Sequence, residues 1–142
     1  MKYNIILSLA FITLVTALPK KIFGNNLNGN PSYKADSLLE AGNYEAAYDE
    51  WEKVVNSLAN GDSLILIAKS KMYYSLGANQ STNQNYSAAI EAYSTAATIA
   101  KQLNLKKYSS YLKKLYTGYY HAAAYSGNWQ KALSISEEGY SL

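Results

Sequence analysis

The sequence predicts an all-α protein built from three helical hairpins, and three observations carry that prediction. From residue 31 onward the apolar residues recur with a period of about 3.6, which is typical of amphipathic helices. Glycine and asparagine interrupt the pattern at short intervals, as they do where helices end and begin. The stretch GNYEAAYDEW, from Gly42, has two looser echoes, QNYSAAIEAY from Gln84 and GNWQKALSIS from Gly127. The predicted helices run over roughly residues 31–41, 44–59, 63–80, 86–103, 106–126 and 129–140.

Helix packing can explain why these three stretches are similar. In each unit we expect an asparagine to cap the second helix, an aromatic residue to fold back onto the preceding helix, and an alanine to let two backbones approach closely. These residues are Asn43, Tyr44 and Ala47 in the first unit, Asn85, Tyr86 and Ala89 in the second, and Asn128, Trp129 and Ala132 in the third. Trp51 and Tyr93 come four residues after their alanines and are expected to fill the space beyond. The alanines are 42 and 43 residues apart, and such a period predicts a solenoid.

The composition excludes several classes of site. The chain has no cysteine and a single histidine, which excludes zinc sites built from Cys and His, thiol nucleophiles and disulfides. All 13 basic residues are lysine, and three of them, Lys2, Lys20 and Lys21, flank the first apolar run. Without these three, 10 lysines face 10 acidic residues. Because arginine, the residue best suited to grip phosphate and guanine, is absent, nucleic-acid binding is not expected.

No catalytic pattern emerges from the motifs. Glycine-rich phosphate loops, HExxH and GxSxG are all absent. His121 lies in HAAAY without a catalytic partner nearby in the sequence, and is interpreted as a packing or groove residue rather than a base. Glu45, Asp49, Glu50 and Glu52 share one predicted helix and are interpreted as a solvated face, because calcium prefers a loop of oxygen ligands. We therefore expect a protein that is not an enzyme and that uses no cofactor and no metal.

The first thirty residues outline a secretory signal. An apolar run, Ile5 to Leu18, is shorter than the roughly 20 residues of a membrane span and has a lysine before it. We predict a signal peptide over residues 1–24, with cleavage after Ala17 or near Gly24, and a polar linker over residues 25–30. The protein is then exported, either periplasmic or secreted. An uncleaved N-terminal membrane anchor is the alternative.

Taken in register, the three units resemble tetratricopeptide repeats (TPR), in a variant whose period exceeds the usual length of about 34 residues. The matching residues are Ala35, Leu38, Gly42, Tyr44, Ala47, Trp51 and Val54 in the first unit, Tyr73, Leu76, Gly77, Tyr86, Ala89, Tyr93 and Ala96 in the second, and Tyr116, Gly127, Trp129 and Ala132 in the third. Ser136 and Gly139 depart from the family, which has a large residue and an alanine there. The resemblance implies a right-handed αα superhelix over residues 31–142, with hairpins at about 31–59, 63–103 and 106–140. An unrelated helical bundle with coincidental alanine spacing is the alternative.

The resemblance also implies a groove for a protein or peptide, lined by the first helix of each pair. The family's contact positions correspond to Asp36 in the first unit, Lys71, Tyr74 and Ala78 in the second, and Lys114, Thr117, His121 and Tyr125 in the third. Some of these could equally be packing residues. The predicted function is an exported, non-catalytic interaction module, and the alternative is the sensory or recruiting segment of a longer signalling protein or protease. The apolar stripe of the last predicted helix suggests self-association or contact with further repeats.

Overall fold

The computed structural model describes residues 31–104 and 106–141, and over these residues it contains six α-helices and no strand. The helices are α1 (Pro31–Glu40), α2 (Tyr44–Ser57), α3 (Ile65–Thr82), α4 (Tyr86–Ala100), α5 (Ser109–Tyr125) and α6 (Trp129–Tyr140). The prediction of an all-α fold with six helices is confirmed. The signal peptide and linker predicted before residue 31 lie outside the described residues. No helix in the described part of the chain is long and apolar enough to cross a membrane.

Each helix packs on the next one along the chain, and α3 also contacts α5. Three residues connect the two helices of each pair, whereas seven residues connect α2 to α3 and eight connect α4 to α5. Short connections of this kind make sequential helices antiparallel neighbours. We therefore describe the six helices as three hairpins, and the first helices of the second and third hairpins contact each other.

The turn inside each hairpin has the same backbone hydrogen bonding. After α1, the amide of Gly42 donates to the carbonyl of Leu39 at 3.1 Å, and the amide of Asn43 donates to that of Leu38 at 2.9 Å. This is the Schellman arrangement, which places one residue in the left-handed region. The equivalent bonds recur in the turns after α3 and α5. The left-handed residues are Gly42 (φ +75°), Gln84 (φ +61°) and Gly127 (φ +78°).

Because a side chain in the left-handed region is strained, Gln84→Gly is expected to stabilise the protein by about 0.5–1 kcal/mol. Gln84 is exposed, so the substitution removes no buried contact. The matched control is Gly127→Gln, which should destabilise the protein by a similar amount, because a Cβ there meets nothing within 4 Å and only the backbone is affected. Urea unfolding of the two variants measures both changes. A lower stability for Gln84→Gly would contradict the argument.

The capping prediction is only partly confirmed. Asn43, Asn85 and Asn128 all occupy the N-cap position, and the carbonyl of each accepts the first helical hydrogen bond. Only the side chain of Asn128 caps its helix, by accepting from the amide of Lys131 at 3.0 Å. The side-chain amide of Asn85 instead donates to Gln80 Oε1 at 3.1 Å. The shared role of these asparagines is therefore to accommodate the backbone turn.

The core is rich in alanine, as the three similar stretches of sequence predict. Ala47, Ala89 and Ala132 are almost completely buried where the paired helices meet. Helix α4 buries four further alanines and a single large residue, Tyr93. A smaller cluster in the first hairpin gathers around Trp51 and includes Ala35, Val54 and Ala68. The three alanines are therefore buried, as close packing of the paired helices would require.

Two glycines on neighbouring helices enclose the ring of Tyr93. A methyl group at Gly77, on α3, would lie 2.8 Å from Cδ1 of the ring, and one at Gly118, on α5, would lie 2.8 Å from the hydroxyl oxygen. Both distances are well inside van der Waals contact, which is about 3.5–4.0 Å for carbon atoms. Tyr93 therefore fills the junction of three helices because both neighbours lack a side chain.

Candidate functional site

Two adjoining clefts lie along the first helices of the hairpins. The large cleft has a volume of about 530 Å³ and lies mainly between α3 and α5, with the first turns of α2 and α4 at its edge. The small cleft, about 230 Å³, lies between α1, α3 and the start of α5. Tyr74 and Lys114 line both clefts, so the two form one continuous depression.

The eight groove residues suggested by the sequence all line these clefts. Tyr74, Ala78, Lys114, Thr117, His121 and Tyr125 line the large cleft, and Asp36 and Lys71 line the small one. They come from three helices separated by as many as 89 residues of sequence, from Asp36 to Tyr125. The structure thus brings the whole set to one face of the molecule. What the face binds is a separate question, which the chemistry of its side chains addresses.

Lys71 and Asp36 already form an ion pair with each other. The ammonium of Lys71 lies 2.6 Å from Asp36 Oδ1, and the lysine side chain is only 17% exposed. The same ammonium lies 5.0 Å from the ring centroid of Trp51 and 5.9 Å from that of Tyr111. This lysine therefore joins α1 to α3, and a substitution such as Lys71→Glu would disturb packing and any binding together. A clean test of binding must use other lysines.

The polar half of the large cleft is basic. Lys113, Lys114 and His121 line it, and no carboxylate is among the described residues that form its walls. Lys114 pairs with Glu40 at 2.5 Å across the neighbouring small cleft, and both side chains are largely exposed. Lys113 is exposed and forms no ion pair with any residue that the structure describes. Because exposed ion pairs are worth little, a ligand carboxylate could displace Glu40 from Lys114 at small cost.

The apolar half of the large cleft is made of tyrosines. The ring of Tyr74 lies 5.7 Å from that of Tyr93 and meets Tyr111 edge-on at 5.9 Å. At the far end, Tyr86 of α4 stacks on Tyr125 of α5 with centroids 5.7 Å apart. Burial raises the pKa of Tyr74 to about 12, so its hydroxyl remains protonated and can donate a hydrogen bond at neutral pH.

Sequence reasoning missed part of the cleft. Tyr44, Tyr86, Tyr93 and Lys113 also line it. The sequence indicates only packing between paired helices for the tyrosines at the first turns of α2 and α4, yet they also reach the groove edge. The repeated Asn–aromatic signal could have indicated them, since it places a ring at the same end of each hairpin.

Comparison of the chain with protein-family models, with curated proteins and with solved structures gave no match. The side chains of the clefts are therefore the basis for a functional conclusion.

Proposed function

We propose that this chain is a TPR-like, non-catalytic module that binds a carboxylate-bearing peptide segment of a partner protein in the large cleft. The observation that carries the proposal is the combination of Lys113, Lys114 and His121 with several tyrosines in one cleft whose described lining contains no carboxylate. Its volume of about 530 Å³ lies within the range of small-ligand pockets, about 300–1,000 Å³. A short segment of a partner chain fits that space.

The arrangement of the helices supports the TPR-like part of the proposal. Consecutive helices pack together, and α3 and α5, the first helices of neighbouring hairpins, also touch. A right-handed superhelix stacks its repeats in this nearest-neighbour manner. The residues at the family's contact positions share one face, which is the arrangement that the resemblance implies.

The lysines and the tyrosines of the large cleft have different roles in the proposed binding. The two lysine ammonium groups attract a glutamate, an aspartate or a terminal carboxylate, and charge-assisted hydrogen bonds of this kind are about twice as strong as neutral ones. Tyr74 and Tyr125 offer flat surfaces that lose little conformational entropy, and each carries a hydroxyl. The charged groups are expected to set the preference for acidic segments, and the rings to supply most of the buried area.

The binding proposal is tested with an array of short tyrosine- or leucine-containing peptides, in which each glutamate-containing sequence is matched with its glutamine analogue. We expect glutamate peptides to bind at least about tenfold more tightly, which corresponds to about 1.4 kcal/mol. The variant Lys113→Ser with Lys114→Ser should remove that preference. Fluorescence anisotropy with labelled peptides, at two salt concentrations, measures the affinities.

The matched control replaces Lys53 and Lys106 by serine. It changes the net charge by the same amount, but neither lysine lines either cleft. Equal losses in both double variants would show that binding follows net charge alone, and this would contradict a site in the large cleft. Failure of every peptide in the array to bind would overturn the proposal.

The proposal includes export directed by residues 1–24. The intact mass of the protein from its native cells measures this directly. A mass well below 15.7 kDa, matching a start after Ala17 or Gly24, is expected for a cleaved signal. Recovery of the uncleaved chain in the membrane fraction would favour the anchor instead.

A further inference from the structure

A row of large apolar side chains on α6 is exposed. Trp129, Leu133, Ser136 and Tyr140 follow one another at intervals of four, three and four residues, which places them on one face of the helix. Leu133 is 61% exposed and Tyr140 is 91% exposed. We call this row the α6 stripe. Leaving so much apolar surface in water is unfavourable, and such patches commonly mark interaction sites.

The equivalent rows on α2 and α4 are covered by a helix. On α4 the corresponding positions are Tyr86, Ile90, Tyr93 and Ala97, and this helix packs on α5. In the same way α2, with Trp51 at the third position, packs on α3. The α6 stripe is therefore the face that this architecture uses to receive another helix.

Beside the α6 stripe lies an open cleft of about 580 Å³ between α5 and α6. It is lined by Tyr116 and Tyr120 of α5 and by Ile135, Ser136 and Gly139 of α6, among others. Ser136 occupies the position of Trp51 and Tyr93, so the large side chain that fills the first two units is missing here. A helix that docks on α6 must supply a bulky side chain opposite Ser136.

We propose that the α6 stripe pairs with the α6 stripe of a second copy of this chain, with the two helices antiparallel. The order large, large, small, large along the stripe is complementary to itself when reversed. With the twofold axis midway between Leu133 and Ser136, Leu133 of each copy lies opposite Ser136 of the other, and Trp129 lies opposite Tyr140. Each leucine then fills the cleft that Ser136 leaves open. A twofold contact of this kind closes on itself and yields a dimer.

The area available suits a dissociable dimer. Covering the large side chains of the α6 stripe and Tyr120 removes on the order of 500 Å² per copy from water, since each aromatic side chain buries about 150–250 Å². With a polar rim, the total approaches the lower limit of specific interfaces, about 1,200 Å². We therefore expect dimerisation in the micromolar range. Lys113 and Thr117 line both the cleft beside the α6 stripe and the large cleft, so the two sites adjoin along α5. The helix contact itself is made by the α6 stripe, none of whose residues lines the large cleft, and it does not depend on the proposed function.

Sedimentation equilibrium of the full chain and three variants tests the pairing. Leu133→Ser puts serine opposite serine, and Ser136→Leu puts leucine opposite leucine, so each single change should weaken the dimer by about tenfold or more. The double variant, Leu133→Ser with Ser136→Leu, restores a leucine opposite each serine and should recover most of the affinity. Circular dichroism at low concentration checks that all four proteins have the same helicity.

The exchange of Leu133 and Ser136 in the double variant distinguishes this pairing from other partners that could cover the α6 stripe. A chain that remains monomeric at several hundred micromolar overturns the proposal and assigns the stripe to another partner or to a further helix. Dimers that are equally strong in all variants place the contact elsewhere and also overturn it. A double variant weaker than either single variant would exclude the antiparallel register.

Discussion

Replacing Trp51 by alanine is expected to destabilise the first hairpin by about 3–5 kcal/mol, the usual range for truncating a large buried aromatic residue. Trp51 is 3% exposed and is the only aromatic member of the small cluster that joins α1, α2 and α3 in the described part of the chain. Lys71 also places its ammonium over the indole ring. Loss of the ring should therefore loosen the contact of α1 and α2 with α3.

The loss should be local at first. The second and third hairpins share a separate cluster, and the stability of stacked hairpins is approximately a sum of units and their interfaces. Hydrogen exchange followed by mass spectrometry should show faster exchange in α1 and α2 than in α4 and α5. The matched control is Trp129→Ala, measured well below the micromolar range of the proposed dimer, because Trp129 is 67% exposed and its loss from the monomer should change stability by no more than about 0.5 kcal/mol. Similar losses from the two substitutions would contradict this account of the core.

Introducing a methyl group beside Tyr93 is expected to give the second large effect. Gly77→Ala should destabilise the protein by about 2–3 kcal/mol, the upper part of the usual range for overpacking. The ring cannot move aside, because Gly118 encloses it from α5 and Tyr74 and Tyr119 lie against it. Alanine is otherwise about 1 kcal/mol better than glycine inside a helix, so a net loss is diagnostic of the clash.

Gly118→Ala supplies an internal control for this result. Its methyl group would meet chiefly the hydroxyl oxygen of Tyr93, at 2.8 Å, whereas that of Gly77→Ala would meet ring carbons. Tyr93→Phe should therefore relieve part of the cost of Gly118→Ala, because Cζ of the ring stays 3.0 Å from the added methyl group, and none of the cost of Gly77→Ala. Thermal unfolding of the single and double variants gives both coupling energies. Equal relief in the two cases would show that the ring is not held as described.

Local rules explain why the helices were predictable. Each hairpin turn needs a residue in the left-handed region followed by one that starts a helix, and Gly42–Asn43 and Gly127–Asn128 satisfy both requirements. The period of the apolar residues then identifies the buried face. These signals involve residues that are close together in the sequence, so they can be recognised without a structure.

Contacts between distant residues were not predictable in this way. The pairing of Lys71 with Asp36 spans 35 positions, and nothing in the sequence near either residue indicates it. Gly118 lies 25 residues from the ring that requires it, and a glycine inside a helix does not by itself indicate which side chain packs against it. The eight groove residues were chosen through the resemblance, and they line adjoining clefts on one face. The sequence shows which groove residues are charged, but only the structure shows which of them already form ion pairs.

The alanine-rich face of α4 also affects how stability depends on temperature. Unfolding raises the heat capacity in proportion to the apolar area exposed, typically by about 12–15 cal/mol/K per residue. A junction closed by methyl groups, as at Ala89, Ala96 and Ala100, keeps backbones close together while covering little apolar area per residue. The heat-capacity change of the middle hairpin should therefore be small for its length. We therefore expect its stability to vary less with temperature than that of a hairpin closed by large apolar side chains.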